Sequence, residues 1–122
     1  MRILIVEDDH KLGPLLQQGL REEGFDTEWV KTGEEGLTRA LAEGYDLVLL
    51  DYMLPRSSGR DVALALRRAG RPVPILMLTA RDSPEDLREA LEAGVNQLMG
   101  KPFRFAELVE SIQRLTSAPA EG

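Results

Sequence analysis

Short apolar runs and amphipathic stretches alternate along the whole chain. The apolar runs have the length of strands, whereas the amphipathic stretches repeat apolar residues at helical spacing. The predicted strands cover residues 2–7, 26–30, 46–51, 74–79 and 96–99. The predicted helices cover residues 11–23, 32–44, 83–94 and 105–116, and one more helix ends at Gly70. This alternation predicts an α/β fold with a parallel sheet that is covered by helices on both faces.

The strands differ in how apolar they are, and this difference predicts their order in the sheet. The runs 2–7, 46–51 and 74–79 are the most apolar and are predicted at the centre, whereas 26–30 and 96–99 suit the edges. Right-handed crossovers then give the order 2-1-3-4-5. The predicted fold is a doubly wound five-stranded sheet in a flavodoxin-like (βα)5 three-layer sandwich. Its first and third strands flank the topological switch point, where such sheets bind ligands.

The helix signals include one apolar face and several capping residues. The first helix carries its leucines on one face, namely Leu12, Leu15, Leu16 and Leu20. Asp9 is predicted to be the N-cap of this helix rather than an ion ligand. Thr32 and Glu35 have the spacing of a capping box. Ser83 is a further predicted cap, because Pro84 and two acidic residues follow it.

Composition narrows the class of protein. The chain has 122 residues, 43% of them hydrophobic, which fits one domain with one core. We predict a domain over residues 1–117 and a linker-like tail over 118–122. The chain has no cysteine and no apolar run near the roughly 20 residues of a membrane helix. Without a signal-peptide pattern, a cytoplasmic location without membrane attachment is predicted. A net charge of −6 argues against direct nucleic acid binding.

Charged and polar side chains follow the strands at the points where they end. Glu7 ends the first predicted strand and Asp8 follows it, Asp51 ends the third strand, and Thr79 ends the fourth. Lys101 lies between the fifth strand and the last helix. Because parallel strands end at the same edge of a sheet, we expect these side chains to meet there. The predicted cluster contains three or four carboxylates, one hydroxyl and one ammonium group.

Such a cluster indicates a cation and phosphate chemistry rather than a role in folding. Like charges about 4 Å apart repel by roughly 1 kcal/mol in water and by about 4 kcal/mol at an effective dielectric near 20. One ammonium group does not balance three carboxylates, so a hard cation such as Mg²⁺ is expected. Asp51 is then a candidate nucleophile toward phosphorus. Thr79 and Lys101 are candidates to contact the phosphoryl oxygens.

The motifs together resemble the receiver domain of two-component response regulators. The resemblance covers about residues 2–116. The matching segments share apolar strands that end in the charged or hydroxyl residues above: Ile3–Asp9, Asp46–Pro55 with Gly59, Pro74–Arg81 and Lys101–Phe103. Each segment is weakly specific by itself, whereas their combination is highly specific. The residues of these motifs are most similar to those in receiver domains of winged-helix (OmpR/PhoB-like) regulators.

The resemblance implies a set of site residues. Asp51 corresponds to the phosphoacceptor, and it also binds Mg²⁺. Asp8 corresponds to a direct Mg²⁺ ligand, and Glu7 to one that acts partly through water. The backbone carbonyl of Met53 stands where the family supplies another ligand. In this family a sensor histidine kinase donates the phosphoryl group, and the domain catalyses only its own phosphorylation and slow dephosphorylation.

The resemblance also implies a switch and an output. Thr79 corresponds to the switch hydroxyl and Lys101 to the phosphate-contacting lysine. Phosphorylation is expected to change the face formed by the fourth helix, fifth strand and fifth helix, and so to control an output, transcription being the leading expectation. A C-terminal winged-helix DNA-binding domain is an expected partner absent from this chain. A stand-alone receiver that acts through protein–protein interaction is the alternative, and the reading as an excised fragment is favoured.

Two features depart from the pattern of the family. Leu98 stands three positions before the lysine, where the family usually has an aromatic residue that moves with the switch hydroxyl. The segment before the fifth strand lacks a common acidic pair, and Leu87, Ser111 and Gln113 stand where basic residues are common. We therefore expect any homodimer through this face to be weak or to depend on apolar contacts such as Leu91.

Two other classes of protein share this fold or this chemistry. A flavodoxin-like module that binds flavin mononucleotide needs a loop rich in N–H donors, whereas the loop here is Glu7–Asp8–Asp9 and repels phosphate without a metal. A phosphohydrolase with an aspartyl-phosphate intermediate needs a general acid or base near Asp51. Met53, two residues after Asp51, cannot serve as one.

Overall fold

A computed structural model describes residues 1–80 and 83–117. Within these ranges the strands are β1 (Arg2–Val6), β2 (Asp26–Val30), β3 (Leu47–Asp51), β4 (Ile75–Thr79) and β5 (Gln97–Gly100). The helices are α1 (Leu12–Glu22), α2 (Gly33–Ala42), α3 (Gly59–Arg68), α4 (Pro84–Glu92) and α5 (Phe105–Thr116). The predicted tail, residues 118–122, lies outside the described residues. Every predicted element is present, with ends that coincide with the predicted ones or differ from them by one or two residues.

The strand order is the predicted one. All neighbouring pairs are parallel, and the order is β2-β1-β3-β4-β5. The residues of β3 and β4 are buried along their whole length, whereas β5 is only half-buried. The uniformly apolar strands lie inside because helices cover both faces of the sheet, so both sets of alternating side chains must be apolar.

Two apolar layers fill the spaces above and below the sheet. On one face, Leu4 and Val6 pack with residues of α2, α3 and α4. On the other face, Ile3 and Ile5 pack with residues of α1 and α5. Fully burying a Leu or Ile side chain contributes about 1.5–3 kcal/mol, so these layers supply most of the favourable energy of folding. Both layers stop where the strands end, and the polar residues begin there.

The apolar face of α1 is narrower than the sequence predicted. Leu16 and Leu20 are buried, and Leu12 packs partly against the same layer. Leu15, predicted on this face, is 65% exposed. The reason is helical geometry: neighbouring positions are turned by about 100°, so Leu15 lies beside the line formed by residues 12, 16 and 20.

Side-chain capping orders the turns that lead into the helices. The assigned N-cap position of α1 is Lys11, so Asp9 is not the formal N-cap. The Asp9 carboxylate nevertheless accepts hydrogen bonds from the N–H groups of Lys11 at 2.7 Å and Leu12 at 3.0 Å, and so caps the preceding turn. Ser83 caps α4 with Pro84 in its first turn, as predicted.

The capping box predicted at α2 forms only in part. The Thr32 hydroxyl accepts a hydrogen bond from the N–H of Glu35, but the Glu35 carboxylate accepts one from the N–H of Lys31 rather than of Thr32. A reciprocal capping box occurs instead at the start of α3, between Ser58 and Asp61. Among the described residues, no helix combines the length and the apolar character needed to cross a membrane.

Candidate functional site

The carboxyl ends of β1 and β3 bring three carboxylates together. Val6 pairs with Leu50 in the register of the two strands, so Glu7 and Asp51 follow side by side. Glu7 and Asp51 are buried, with 2% and 5% of their surfaces exposed. Asp8 lies closer to the solvent than either. One carboxylate oxygen from each of these three residues lies within 4.8 Å of the others.

Lys101 reaches this cluster from the end of β5. Thr79 pairs with Gly100 in the register of β4 and β5, and the N–H of Lys101 donates to the carbonyl oxygen of Thr79 at 2.8 Å. The Lys101 ammonium group lies 2.7 Å from Oδ1 of Asp51 and 3.2 Å from Oε1 of Glu7. One cation thus contacts both buried carboxylates.

Thr79 and Met53 belong to the carboxyl-terminal ends of β4 and of β3 with its following loop. Thr79 is the last residue of β4 and is 4% exposed. Leu78 pairs with Asp51, so Thr79 lies one step beyond Asp51 on the neighbouring strand. Met53 lies in the loop after β3, and its side chain is 60% exposed. Because the prediction for Met53 concerns its backbone carbonyl, an exposed side chain is compatible with it.

Burial and mutual repulsion act on the two inner carboxylates. Burial raises the pKa of Asp51, and the Lys101 ammonium group offsets only part of this effect. Burial and the charge of Asp51 raise the pKa of Glu7. Hydrogen bonds from the N–H of Asp9 and from Lys101 lower this pKa, but by less. Burial alone lowers the pKa of Lys101, but Asp51 and Glu7 outweigh it and leave this pKa raised.

The donor set fits a hard divalent cation. Three carboxylates face one ammonium group in a partly buried setting, so negative charge is left in excess. Asp and Glu oxygens are the ligands that Mg²⁺ takes in proteins. The described residues of the cluster offer neither a thiolate nor an imidazole, the ligands that softer metals prefer.

Sequence reasoning missed two residues that shape the site. Trp29 donates a hydrogen bond from its indole N–H to the carbonyl oxygen of Glu7 at 2.7 Å. Gly59, noted only as part of a motif, lies so close to the backbone of Asp51 that an added Cβ would approach the Asp51 carbonyl oxygen to 2.4 Å. Neither contact has a local sequence signal, because each joins two distant segments.

The surface formed by α4, β5 and α5, called here the α4–β5–α5 face, differs in part from the expectation. Leu87 and Leu91 are exposed, 38% and 53%. Leu98 is half-buried and belongs to the apolar layer beside α4. Ser111 is buried and receives a hydrogen bond from the side chain of Gln97 at 2.9 Å, so it is not available on this face.

Comparison with known proteins places the chain among signalling domains. The family model for the response regulator receiver domain matches residues 3–113. The chain is 46% identical to the transcriptional regulatory protein PcoR of Escherichia coli and 48% identical to the transcriptional activator protein IrlR of Burkholderia pseudomallei. These matches cover 93% and 94% of the chain but 50% of each relative. The chain therefore spans about half the length of the curated relatives it matches.

Solved structures agree in fold. The receiver domain of the Francisella response regulator 1452 superposes with a TM-score of 0.90 at 30% identity, over 94% of this chain and 95% of that one. The response regulator protein TrrA of Thermotoga maritima, solved in complex with Mg²⁺–BeF, has a TM-score of 0.84 at 36% identity. That match covers 93% of this chain and 97% of the other.

Proposed function

The chain belongs to the family of response regulator receiver domains, and from this premise we propose that it is the phosphoacceptor switch of a two-component system, with Asp51 as the phosphoacceptor. The observation that carries the proposal is the setting of the Asp51 carboxylate. It is buried, it lies 2.7 Å from the Lys101 ammonium group, and it shares a cluster with Glu7 and Asp8. A carboxylate in this setting is positioned for phosphoryl transfer.

A sensor histidine kinase is the proposed donor of the phosphoryl group. One carboxylate oxygen of Asp51 forms a bond to phosphorus while the bond between phosphorus and the imidazole nitrogen of the kinase's phosphohistidine breaks. The electron pair of that bond stays on the imidazole. Lys101 neutralises charge on the transferred group, and the Thr79 hydroxyl donates a hydrogen bond to one of its oxygens. The domain is regulatory, and its catalysis is limited to its own phosphorylation and slow dephosphorylation.

Mg²⁺ is the proposed cofactor. Asp8, Asp51 and the backbone carbonyl of Met53 would hold it directly, and Glu7 would act through water. Bound there, Mg²⁺ supplies positive charge that offsets the carboxylates and the phosphoryl oxygens. The fit of the donor set supports this, and so does the Mg²⁺–BeF complex of the Thermotoga maritima relative.

The proposed output is transcription. The curated relatives are transcriptional regulators and are about twice as long as this chain. We propose that the domain over residues 1–117 is followed by a linker beginning at 118–122 and then by a winged-helix DNA-binding domain. DNA contact then belongs to that domain, because this one carries a net charge of −6. Phosphorylation would shift an existing equilibrium at the α4–β5–α5 face.

The cytoplasmic location stays a prediction, which cell fractionation tests.

A weak homodimer through the α4–β5–α5 face is part of the proposal. Leu87 and Leu91 give this face its apolar contacts, and Ser111 is turned inward. Sedimentation velocity with and without beryllofluoride, at low and high salt, measures the association. We expect weak association that salt hardly changes and that Leu91→Ser abolishes. A tight dimer that salt dissociates would contradict this expectation.

Intact mass spectrometry tests the central claim. After incubation with Mg²⁺ and a small acyl phosphate, the chain is expected to gain one phosphoryl group in an acid-stable, base-labile linkage. Asp51→Asn and chelation of Mg²⁺ should each prevent the gain. Asp46→Asn removes an exposed carboxylate that directly precedes β3 and serves as the matched control, which should be phosphorylated normally. An adduct that persists in Asp51→Asn would move the site to another residue.

A further inference from the structure

Trp29 bonds directly to the backbone of the carboxylate cluster. It lies in β2, opposite Ile5 of β1. Its indole N–H donates a hydrogen bond to the carbonyl oxygen of Glu7 at 2.7 Å, and the N–H of Glu7 donates to the carbonyl oxygen of Val30 at 3.0 Å. Both backbone polar groups of Glu7 are therefore held by β2, one through the backbone and the other through a side chain.

The indole acts where the backbone ladder between the two strands ends. The last residue pair of that ladder is Val6 with Val30, and the chain then turns into α2 at Thr32. A buried carbonyl needs a hydrogen-bond partner. The side chain of Trp29 supplies the donor for Glu7 at the point where the β1–β2 ladder stops.

The position of the indole ring is itself fixed by its neighbours. Gly13 of α1 lies against it so closely that an added Cβ would approach Cε2 of the ring to 2.2 Å. The Lys31 ammonium group lies 5.3 Å from the ring centroid, within the range of a cation–π contact. The ring is therefore in contact with α1 and with the residue that follows β2, and its N–H has little freedom to point elsewhere.

We propose that Trp29 is a positioning residue for the cation site, an inference that rests on the proposed function. The carbonyl of Glu7 belongs to the planar peptide unit that joins Glu7 to Asp8. Holding that carbonyl fixes the plane from which Asp8 projects toward Asp51. The Glu7 carboxylate has its own restraints, from Lys101 and from the N–H of Asp9 at 3.1 Å. Trp29 therefore acts mainly on the placement of Asp8.

Cation binding without any phosphodonor tests this role. Mn²⁺ serves as the probe, because it takes the same oxygen ligands as Mg²⁺ and its free form is counted by electron paramagnetic resonance. Trp29→Phe keeps an aromatic ring but lacks the N–H group. Since loss of a residue that orients a metal ligand typically costs 10–100-fold in affinity, we expect binding to weaken by about tenfold. Tyr45→Phe is the matched control: it also keeps an aromatic ring and removes its polar group, but that group bonds to Glu28, outside the carboxylate cluster, so affinity should stay unchanged.

A second substitution separates the hydrogen bond from packing. The chain has one tryptophan, so biosynthetic replacement by benzothienylalanine changes only this side chain, exchanging N–H for sulfur at nearly constant shape. Thermal unfolding in the presence of a chelator shows whether each variant is folded. A tenfold loss of Mn²⁺ affinity in this folded variant supports the proposal.

The outcomes of the two proposals are distinguishable. If the unmodified chain binds Mn²⁺ and the benzothienylalanine variant binds it equally well, the role of Trp29 is refuted while the proposed function stands. If the unmodified chain does not bind Mn²⁺, the proposed metal site fails, and the inference fails with it.

Discussion

The ammonium nitrogen of Lys101 lies 2.7 Å from Oδ1 of Asp51, although the two residues are in different halves of the chain. The same nitrogen lies 3.2 Å from Oε1 of Glu7. The contact restrains the carboxylate proposed to accept phosphate and places a positive charge where the phosphoryl group would arrive. Because Asp51 and Glu7 are both buried, solvent screens this interaction less than it screens a surface ion pair.

Removal of the Lys101 ammonium group should slow phosphorylation rather than abolish it. In Lys101→Ala we expect the rate of adduct formation with a small acyl phosphate to fall by about 100-fold, the usual effect of losing one group that stabilises transition-state charge. Time-resolved intact mass measures the rate. Lys11→Ala, an exposed lysine near the start of α1, is the control and should react at the normal rate. An undiminished rate in Lys101→Ala would show that this ammonium group takes no part.

The guanidinium group of Arg67 connects three segments at the end of the sheet where the strands begin, opposite the carboxylate cluster. It donates hydrogen bonds to the carbonyl oxygens of Gly94, Arg71 and Val73. It also donates to Oδ1 of Asn96 at 2.9 Å, and Asn96 accepts a further bond from the N–H of Ile75. These bonds join the end of α3 to the starts of β4 and β5.

Loss of this group should destabilise the fold. We expect Arg67→Ala to lower the free energy of unfolding by about 2–3 kcal/mol, because several partly buried carbonyls lose their donor. Urea denaturation measures the change. The neighbouring Arg68 is exposed, and Arg68→Ala should change stability by less than about 0.5 kcal/mol. Equal effects of the two substitutions would contradict the assignment.

A side chain at Gly13 should also destabilise the protein. The Cβ of Gly13→Ala would lie 2.2–2.5 Å from atoms of the Trp29 ring, so the ring must move. Overpacking of this kind costs about 1–3 kcal/mol. Replacing Gly by Ala in a helix gains about 1 kcal/mol in helix propensity, so the net effect is destabilising when the overpacking cost lies above that value. Thermal unfolding and the emission of the single tryptophan should both change.

Gly44→Ala is the matched control for Gly13→Ala. Among the described residues, and apart from the two neighbours of Gly44 in the chain, no heavy atom lies within 4 Å of a Cβ added there. The free energy of unfolding of Gly44→Ala should therefore equal that of the unmodified chain or exceed it by a few tenths of a kcal/mol. If Gly13→Ala proved as stable as this control and left the tryptophan emission unchanged, the close packing of Gly13 and Trp29 would be refuted.

Stability at alkaline pH should depend on Tyr45. Burial, together with the hydrogen bond to the Glu28 carboxylate, raises the pKa of Tyr45 to about 12. In the unfolded chain a tyrosine titrates near pH 10. Between these values the unfolded state binds fewer protons than the folded state, so stability falls as pH rises from about 10 to 12.

Tyr45→Phe removes this titration and tests the assignment. The difference in unfolding free energy between the unmodified chain and the variant should be constant between about pH 7 and 10, where Glu28 stays ionised, and should shrink as the pH rises further. Denaturation at a series of pH values measures it. Lys101 also has a raised pKa, but its contribution is common to both proteins and cancels in the difference. A difference that stays constant up to pH 12 would refute the raised pKa.

The positions of the strands and helices could be predicted because the sequence patterns that indicate them are local. The predicted strand 26–30 and helix 105–116 coincide with β2 and α5. The first strand ends at Val6 rather than residue 7, and β5 starts at Gln97 rather than residue 96. Such small shifts arise because hydrogen-bond partners on neighbouring strands, and not the apolar pattern alone, set the ends. The strand order followed from burial and from the handedness of crossovers.

The membership of the candidate site was also predictable. Glu7, Asp8, Asp51 and Lys101 come together as the strand order required. Parallel strands end at one edge, so residues that follow central strands meet whatever their distance along the chain. The roles assigned to these residues remain proposals that the experiments above test.

Side-chain placement was decided by the tertiary structure. Leu15 belongs to a leucine-rich face in the sequence but points away from the sheet. The indole N–H of Trp29 donates a hydrogen bond to the Glu7 carbonyl oxygen, a contact without a signal in the sequence. Arg67 carried no signal in the sequence, and its partners lie in two later loops.

The sequence by itself therefore determined the elements, their order and the edge of the sheet where the charges meet. Apolar and polar residues recur along the chain with the spacing of strands and helices, so the polarity of each residue indicates the element to which it belongs. Only the tertiary structure decided which polar atom bonds to which. Each such bond joins segments that are distant along the chain, and its geometry depends on how neighbouring side chains pack.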